Sequence, residues 1–495
     1  MQYQSIEFLI FLFLVCLVYY GGPKAMRRCW LLLASWAFYL TLSAELAFYL
    51  AGITVVSWMF GLWIGKVKSR PKGTRRFILA VAIIATLASL IVVKYGNFVL
   101  ENIKCVIEGL SLDMSPSHGL ELIQPVGLSF FTFMAIGYLI DVYQGKRKSE
   151  KSLIAYALFM AFFPMIMSGP IERSTGLLQQ IDECHNIKMD TYKIRHGLVT
   201  IFYGFFLKVM VADRLNILVN TVFSAPETYG GCILVLAVVA FGIQLYCDFA
   251  GVSAIAIGSA EVMGFSIMKN FDNPYFAVSV SEFWRRWHIS LSSWFRDYLY
   301  IPLGGSKKGK WRKYLNLMIV FLVSGLWHGA GWTFIIWGGL HGVYQVAGDL
   351  LKPVRKKIVD VCSIDAEGVG NRVLRMIFNF ILVDFAWMFF RAADMNQAIV
   401  IMKRAVAAWN PWELFNGVIL ELGLGWPDLT VLLICLMIVL VMSVLEYNKI
   451  EWKDALLQQG FPVRLLVYVG CITALIVFGI YGPAFSASSF IYVDF

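Results

Sequence analysis

The chain has 495 residues, of which 59% are hydrophobic and 15% charged, and its mean hydropathy is +0.70. Soluble globular domains contain about 25% charged residues, so this composition argues against a water-soluble protein. The net charge of +10 comes from basic residues in short loops between apolar stretches, a distribution that argues against nucleic acid as a partner.

Long apolar stretches recur along the whole chain. A helix needs about 20 apolar residues to cross the bilayer core. We therefore predict an all-α, polytopic membrane protein with about eleven to thirteen membrane helices, some of which enter the bilayer without crossing it. The stretches are residues 6–20, 29–42, 46–65, 77–100, 123–142, 153–167, 197–219, 232–260, 314–343, 373–390, 429–445 and 465–481.

The apolar stretches are not separated by a long polar linker. One membrane domain over residues 1–495 is therefore expected, with N-terminal helices (1–122), a core (123–352) and C-terminal helices (353–495). The first stretch has neither a basic segment before it nor a small-residue cleavage pattern after it, so we expect it to remain as a helix.

Basic residues mark the loops after the first, third and fifth stretches, at residues 24–28, 66–76 and 146–148. The positive-inside rule places these loops in the cytoplasm, which puts the N-terminus outside. The loop at residues 101–121 is poor in Lys and Arg and is predicted to lie outside. A polar interruption at residues 182–195 leaves the side of the later segments open.

The segment after residue 279 is dense in aromatic residues and arginine. Ser279 followed by Glu282 fits a capping box, which predicts a helix from there to a point before Pro302. At about 100° per residue the large apolar side chains share one arc of this helix. They are Phe283, Trp284, Trp287, Leu291, Trp294, Phe295 and Tyr298.

On the same helical wheel His288 falls at the edge of the apolar arc, and Arg285 and Arg296 lie beyond it. This arrangement suits a helix at the membrane surface or at the mouth of a cavity. Guanidinium groups match phosphate oxygens, so the arginines are candidates to hold a phosphate-bearing substrate. The ordinary alternative is that they anchor the helix at lipid headgroups, with His288 in a structural role.

His328 lies inside an apolar stretch, between Gly325 and the pair Gly329 and Gly331. A polar residue within a membrane span is costly and marks a candidate functional site, and imidazole is suited to proton transfer near neutral pH. The glycines permit close helix packing or a local break. A hydrogen bond across a helix interface is the alternative. His341 would face nearly opposite on an unbroken helix, so we do not pair it with His328.

No metal site or disulfide framework is predicted. The nine cysteines are scattered, without a CxxC motif or a Cys/His cluster, and are expected to act as small apolar side chains. His118, His185 and His196 lie in polar or connecting stretches and form no motif.

Two blocks resemble the signature of the membrane-bound O-acyltransferase (MBOAT) superfamily, in the form typical of its alginate O-acetyltransferase branch. They are EFWRRWHISLS at residues 282–292, continuing to residue 305, and LWHG at residues 326–329. Further similar stretches are residues 125–133, 169–171, 211–214, 273–275 and 387–392. The resemblance therefore covers residues 125–392.

The resemblance implies a ring of tilted helices around a tunnel through the bacterial cytoplasmic membrane. His328 is expected deep in the tunnel as base or transient acyl carrier, with His288 near it as assistant or oxyanion donor. No bound cofactor is expected. The implied donor is a cytoplasmic thioester, acetyl-CoA or an acyl-carrier protein. The expected substrate-binding residues are Trp284, Arg285, Arg296, Trp327, Asp248 and Asn273.

The same resemblance implies an acceptor outside the cytoplasm, either a polysaccharide hydroxyl or a partner acetyltransferase of the SGNH hydrolase type. Residues 246–254 depart from the family pattern, although Asp248 is kept. A structural ion pair is an equal interpretation of Asp248. Transfer of D-alanine to teichoic acid, O-acetylation of peptidoglycan and, outside the enzymes, a transporter using Lys208, Asp248 and Asp384 are the alternatives. No matching halves typical of transporters are seen.

Overall fold

The computed structural model describes residues 1–109, 125–363 and 365–481. Within these ranges all regular elements are helices and there is no strand, which confirms the predicted all-α class. The chain divides into two units, Met1–Leu198 with Ala256–Met268 and Val199–Ile255 with Lys269–Phe495. The predicted single domain with divisions after residues 122 and 352 stays a prediction.

Twenty α-helices follow one another along the described chain. The first ten are α1 (Ile6–Gly21), α2 (Arg27–Ser43), α3 (Ala47–Lys66), α4 (Lys72–Gly109), α5 (Leu128–Gln144), α6 (Leu153–Ala161), α7 (Leu177–Asp182), α8 (Thr191–Phe205), α9 (Asp213–Ser224) and α10 (Gly231–Val262). The others are α11 (Val280–Arg286), α12 (Ile289–Phe295), α13 (Lys310–His328), α14 (Trp332–Leu350), α15 (Lys352–Val361), α16 (Val369–Arg391), α17 (Met395–Ala407), α18 (Trp426–Tyr447), α19 (Trp452–Leu457) and α20 (Phe461–Phe478).

Six of the described helices are long and apolar enough to cross a membrane: α3, α4, α10, α16, α18 and α20. Two shorter helices, α1 and α5, are also apolar. The chain is thus a membrane protein, as predicted. The number of about eleven to thirteen membrane segments stays a prediction, as does the ring around a tunnel.

The three basic loops of the first unit lie at one end of it. Arg28 and Arg147 both approach the carboxylate of Asp182, at 3.7 and 2.9 Å. Arg75 donates a hydrogen bond to the carbonyl of Tyr143, just before the third basic loop. A common cytoplasmic side requires this arrangement.

Two sequence predictions fall on residues outside the described ranges. The loop predicted to lie outside, residues 101–121, is described only to residue 109, where α4 ends. His118 lies in the same stretch. Of the other two histidines without a motif, His185 is exposed and His196 pairs with Glu261 at 2.8 Å.

The predicted continuous stretch at residues 314–343 is broken in the structure. α13 ends at His328, residues 329–331 form a link, and α14 begins at Trp332. A Cβ atom on Gly329 would strike the ring of Phe334, so any larger residue here requires that ring to move. The assumption of an unbroken helix between His328 and His341 was therefore wrong.

α13 and α14 form an antiparallel hairpin whose backbones touch. A Cβ atom on Gly325 would collide with the carbonyl of Phe334, and one on Gly338 with the carbonyl of Phe321. Gly325 thus permits close helix packing, which was one of the two predicted roles of the glycines. At the other end of the hairpin, Lys313 and the carboxylate of Asp349 join the helices at 2.8 Å.

The stretch at residues 197–219 is also interrupted. α8 passes into a π-helical segment, Phe206–Ala212, before α9 begins. A π segment places an extra residue in a helix turn and is frequently found at functional sites. Here it carries Lys208 into the interior, with 1% of the residue exposed.

Candidate active site

The aromatic-arginine segment begins as predicted but does not continue as one helix. The Ser279 hydroxyl accepts the Glu282 N–H at 3.2 Å, which confirms the predicted N-cap. α11 then ends at Arg286, and α12 starts again at Ile289. A second π segment, Arg296–Tyr300, follows α12. The predicted single helix up to Pro302 was wrong.

His288 lies at the break between α11 and α12. Its φ angle of +41° is left-handed, a conformation in which non-glycine residues are uncommon. This turn directs the imidazole inward, and the residue is 0% exposed. The predicted position at the edge of an apolar helical face was therefore wrong, because the helical wheel assumed a continuous helix.

Asn270 connects His288 to two serines. Its amide Nδ2 donates to Ser253 Oγ at 3.0 Å, and its Oδ1 accepts from Ser290 Oγ at 2.7 Å. The same Oδ1 lies 3.4 Å from Nδ1 of His288. Because Oδ1 is only an acceptor, Nδ1 carries the proton in this contact, which leaves Nε2 as the acceptor nitrogen of a neutral ring.

Aromatic rings surround His328 at the end of α13. Its imidazole meets the rings of Trp327 and Trp337 edge to face, with centroids 4.9 Å away in both cases. The Phe390 ring lies at 5.4 Å, and His328 is 3% exposed. The His288 imidazole contacts the same Trp327 ring at 6.1 Å. The structure thus brings both predicted histidines and Trp327 together.

Trp284 belongs to the same aromatic cluster. Its indole Nε1 donates a hydrogen bond to Nδ1 of His341 at 3.2 Å. Its ring also contacts Trp337, which contacts His328. Only the Trp337 ring therefore separates His341 from His328, although the two were not paired from the sequence. They come close because the chain turns back between α13 and α14.

The two predicted arginines lie away from this buried cluster. Arg285 is exposed, and Arg296 pairs with Asp297 at 2.8 Å with 63% of its side chain exposed. Neither guanidinium is buried. Both remain accessible to a charged ligand or to lipid headgroups.

Asp248 forms a buried ion cluster with Lys208 and Asp213. The Lys208 ammonium lies 2.7 Å from Asp248 and 2.8 Å from Asp213, and all three side chains are at most 6% exposed. The structural ion pair considered from the sequence is therefore present. Asp248 is linked to the site through the chain, since the ring of the next residue, Phe249, lies 4.7 Å from the imidazole of His288.

Asn273 is 4% exposed and has a left-handed φ of +49°. Among the described residues neither polar atom of its side chain has a hydrogen-bond partner. Buried amides are normally satisfied, so this side chain is free to bind a polar ligand group. No ring or hydrogen bond in the described part of the chain joins Asn273 to the histidines.

Sequence reasoning missed Asn270 and His341. Asn270 lies only three residues before Asn273, in a polar stretch that precedes the signature block, and this proximity was the available signal. His341 was considered only as a partner of His328 and was not paired with it, because an unbroken helix was assumed. Within the described residues no group of three or more His, Cys, Asp or Glu side chains is placed to hold a metal ion.

Comparisons with known proteins identify a family for this chain. Residues 146–383 match the model of MBOAT, the membrane-bound O-acyltransferase family. The chain is 36% identical over 416 residues to a probable alginate O-acetylase, AlgI, of Azotobacter vinelandii, covering 84% of this chain and 79% of the relative.

Two further relatives have other acceptors in their names. A peptidoglycan O-acetyltransferase of Helicobacter pylori is 31% identical over 78% of this chain and 75% of its own length. A teichoic acid D-alanyltransferase of Bacillus subtilis is 28% identical over 61% of this chain and 75% of its own length.

Proposed function

The chain belongs to the membrane-bound O-acyltransferase family and is an O-acyltransferase, and on this basis we propose that it transfers an acetyl group from a cytoplasmic thioester to an extracytoplasmic polysaccharide. The observation that carries the proposal is that the buried imidazoles of His328 and His288 both contact the Trp327 ring. The higher identity to alginate O-acetylases than to a D-alanyltransferase favours acetyl as the group transferred.

His328 acts as the base in this proposal. Its imidazole takes the proton of the accepting hydroxyl while that oxygen attacks the thioester carbonyl. The C–S bond then breaks, and the departing thiolate receives the proton back from the imidazolium. A variant of the same chemistry forms an acyl-His328 intermediate, from which the acyl group moves to the hydroxyl.

His288 assists at the neighbouring position. Asn270 holds the His288 ring through Nδ1, so Nε2 is the nitrogen directed to other groups. In its neutral form His288 orients the accepting hydroxyl, and in its protonated form it stabilises the oxyanion. Trp327 lies between the two imidazoles and contributes an apolar wall to the acyl site.

The donor is acetyl-CoA or an acyl-carrier thioester. Arg285 and Arg296 are exposed and suited to the donor's phosphates, whereas the buried Asn273 amide is suited to a neutral polar group. We place the protein in the bacterial cytoplasmic membrane, in contact with lipid, with its polysaccharide acceptor or an SGNH-type acetyltransferase on the outer side.

The test follows thioester loss from radiolabelled acetyl-CoA, with purified protein, an SGNH-type partner and polysaccharide. The His328→Ala variant should lose at least about 100-fold in rate, because general base catalysis contributes about 10²–10⁴-fold. The matched control is His185→Ala, since His185 is exposed and outside the aromatic cluster.

Equal rates for His328→Ala and wild type would refute the role of His328. If wild type consumes a D-alanyl carrier thioester but no acetyl-CoA, the acetyl assignment is wrong while the family remains. The transporter alternative has no support from the relatives, which are named as acyltransferases.

A further inference from the structure

His341 is a fully buried histidine that the acyl-transfer chemistry above does not use. It is 0% exposed and lies on α14, one helical turn after Trp337. The indole Nε1–H of Trp284 can only donate, so Nδ1 of His341 must be the acceptor in their 3.2 Å hydrogen bond. The neutral ring therefore carries its proton on Nε2.

Among the described residues, the Nε2 atom of His341 makes no hydrogen bond that would offset its burial. Burial of an unpaired polar group costs free energy. Phenylalanine would fill the same space without that cost. The feature of His341 that phenylalanine cannot supply is the Nδ1 acceptor that holds Trp284.

Trp284 and His341 together support the ring that contacts His328. Trp337 meets the Trp284 ring at 5.7 Å and the His341 ring at 5.1 Å, both edge to face. The same Trp337 ring meets the imidazole of His328 at 4.9 Å and 87°. The orientation of His328 thus depends on a ring that Trp284 and His341 hold in place.

We propose that His341 is a positioning residue for acyl transfer: by accepting the Trp284 hydrogen bond it fixes the Trp337 ring against His328. This inference rests on the proposed role of His328. His341 acts only through Trp284 and Trp337 and touches neither donor nor acceptor. The proposed role depends on the hydrogen bond between Trp284 and His341, not on the volume of the His341 ring.

Three variants separate the hydrogen bond from the bulk of the side chain. His341→Phe keeps the ring but removes the acceptor, and Trp284→Phe removes the donor. Both should lower kcat by about 10-fold to 100-fold, because a misplaced catalytic group is costly, while the KM for the donor changes little. His341→Asn, whose Oδ1 can occupy the place of Nδ1, should recover most of the loss.

The double variant His341→Phe with Trp284→Phe should lose no more than either single variant, since both remove one bond. Trp311→Phe is the matched control, because Trp311 on α13 is 85% exposed. A kcat for His341→Phe equal to wild type would overturn the proposal. If His341→Phe does not fold, Trp284→Phe alone decides.

A readout without turnover separates this inference from the proposed function. Diethyl pyrocarbonate modifies imidazoles when they become accessible, so His328, which is 3% exposed, should react slowly in the wild type. Mass spectrometry of the His328 peptide gives the rate of modification. His341→Phe and Trp284→Phe should change the rate at His328 several-fold, and His341→Asn should restore it. Unchanged rates in all variants would refute the positioning role, whether or not the wild type uses acetyl-CoA.

Discussion

Lys208 is the centre of a buried charge cluster in the second unit. One buried ammonium faces two buried carboxylates, those of Asp213 and Asp248. Charges in such a place cost free energy unless they are paired. Lys208 lies within the π segment Phe206–Ala212, so the irregular part of the helix is also the part that carries the charge cluster.

Lys208→Met should therefore destabilise the protein strongly, by about 3–5 kcal/mol, because it leaves carboxylates buried without their cation. Lys269→Met is the control, since Lys269 and Asp272 form a 2.9 Å pair that is largely exposed, and its loss should cost less than about 1 kcal/mol. Thermal unfolding in one detergent measures both. Equal melting temperatures for the two variants would contradict the prediction.

Residues of the candidate site were identifiable from the sequence where their chemistry alone makes them stand out. His328 and His288 were identified as imidazoles in apolar or amphipathic surroundings. Asn270 and His341 were not, because their roles depend on turns that bring distant residues together. A left-handed residue at position 288 and a link at residues 329–331 have no signal in hydrophobic periodicity.

At the level of elements, the α13–α14 hairpin determines where His328 lies. Its helices are in backbone contact at Gly325 and Gly338, so any side chain there must push them apart. The two glycines lie close to the rings that enclose the imidazole, since Trp337 precedes Gly338 directly. Helix spacing and site geometry are therefore coupled.

Gly338→Ala should lower both stability, by about 1–3 kcal/mol, and acyl transfer, because overpacking forces backbone shifts. Gly339→Ala is the matched control one residue away. Its Cβ would meet only Leu322 Cδ2 at 3.7 Å, an ordinary contact. Thermal unfolding in detergent gives the stability of both variants, and the acetyl-CoA assay gives their activity. Wild-type behaviour of Gly338→Ala would show that the hairpin tolerates a wider spacing.

The existence of helices was predictable, but several of their ends were not. Hydropathy identifies apolar stretches, and most of those predicted here contain helices. It does not detect breaks inside an apolar stretch, as at residues 329–331, nor the π segments at Phe206–Ala212 and Arg296–Tyr300. Such breaks are stabilised by tertiary contacts, which a window of sequence does not contain.

On the scale of the whole molecule, α4 is long enough to reach from one side of a membrane to the other. It has 38 residues and is about 57 Å long, whereas the bilayer core is about 30 Å thick. It begins at a basic loop that is predicted to be cytoplasmic, so its far end is predicted to project on the outer side. α15 carries four basic residues, Lys352, Arg355, Lys356 and Lys357. The interruption at residues 182–195 leaves the side of this helix open, and on its charges alone the positive-inside rule predicts a cytoplasmic position for it.

These assignments predict opposite labelling of two native cysteines. Cys105 near the end of α4 and Cys362 just after α15 are both exposed. In single-cysteine variants in intact cells, a membrane-impermeant maleimide should label Cys105 from outside. It should label Cys362 only after the cells are opened. Labelling of both from the same side would contradict the charge-based topology, and Cys247, which is buried, serves as the unreactive control.

The three-residue link between α13 and α14 also affects the order in which contacts form during synthesis of the chain. Contacts between residues close in sequence form early, so His328, Trp337 and His341 meet as soon as the hairpin has been synthesised. Phe390, which covers the same imidazole, leaves the ribosome 49 residues after His341. At about 5–20 residues per second this leaves a delay of about 2–10 s. The nascent chain can thus bring His328 and Trp337 together before Phe390 is available to cover the imidazole.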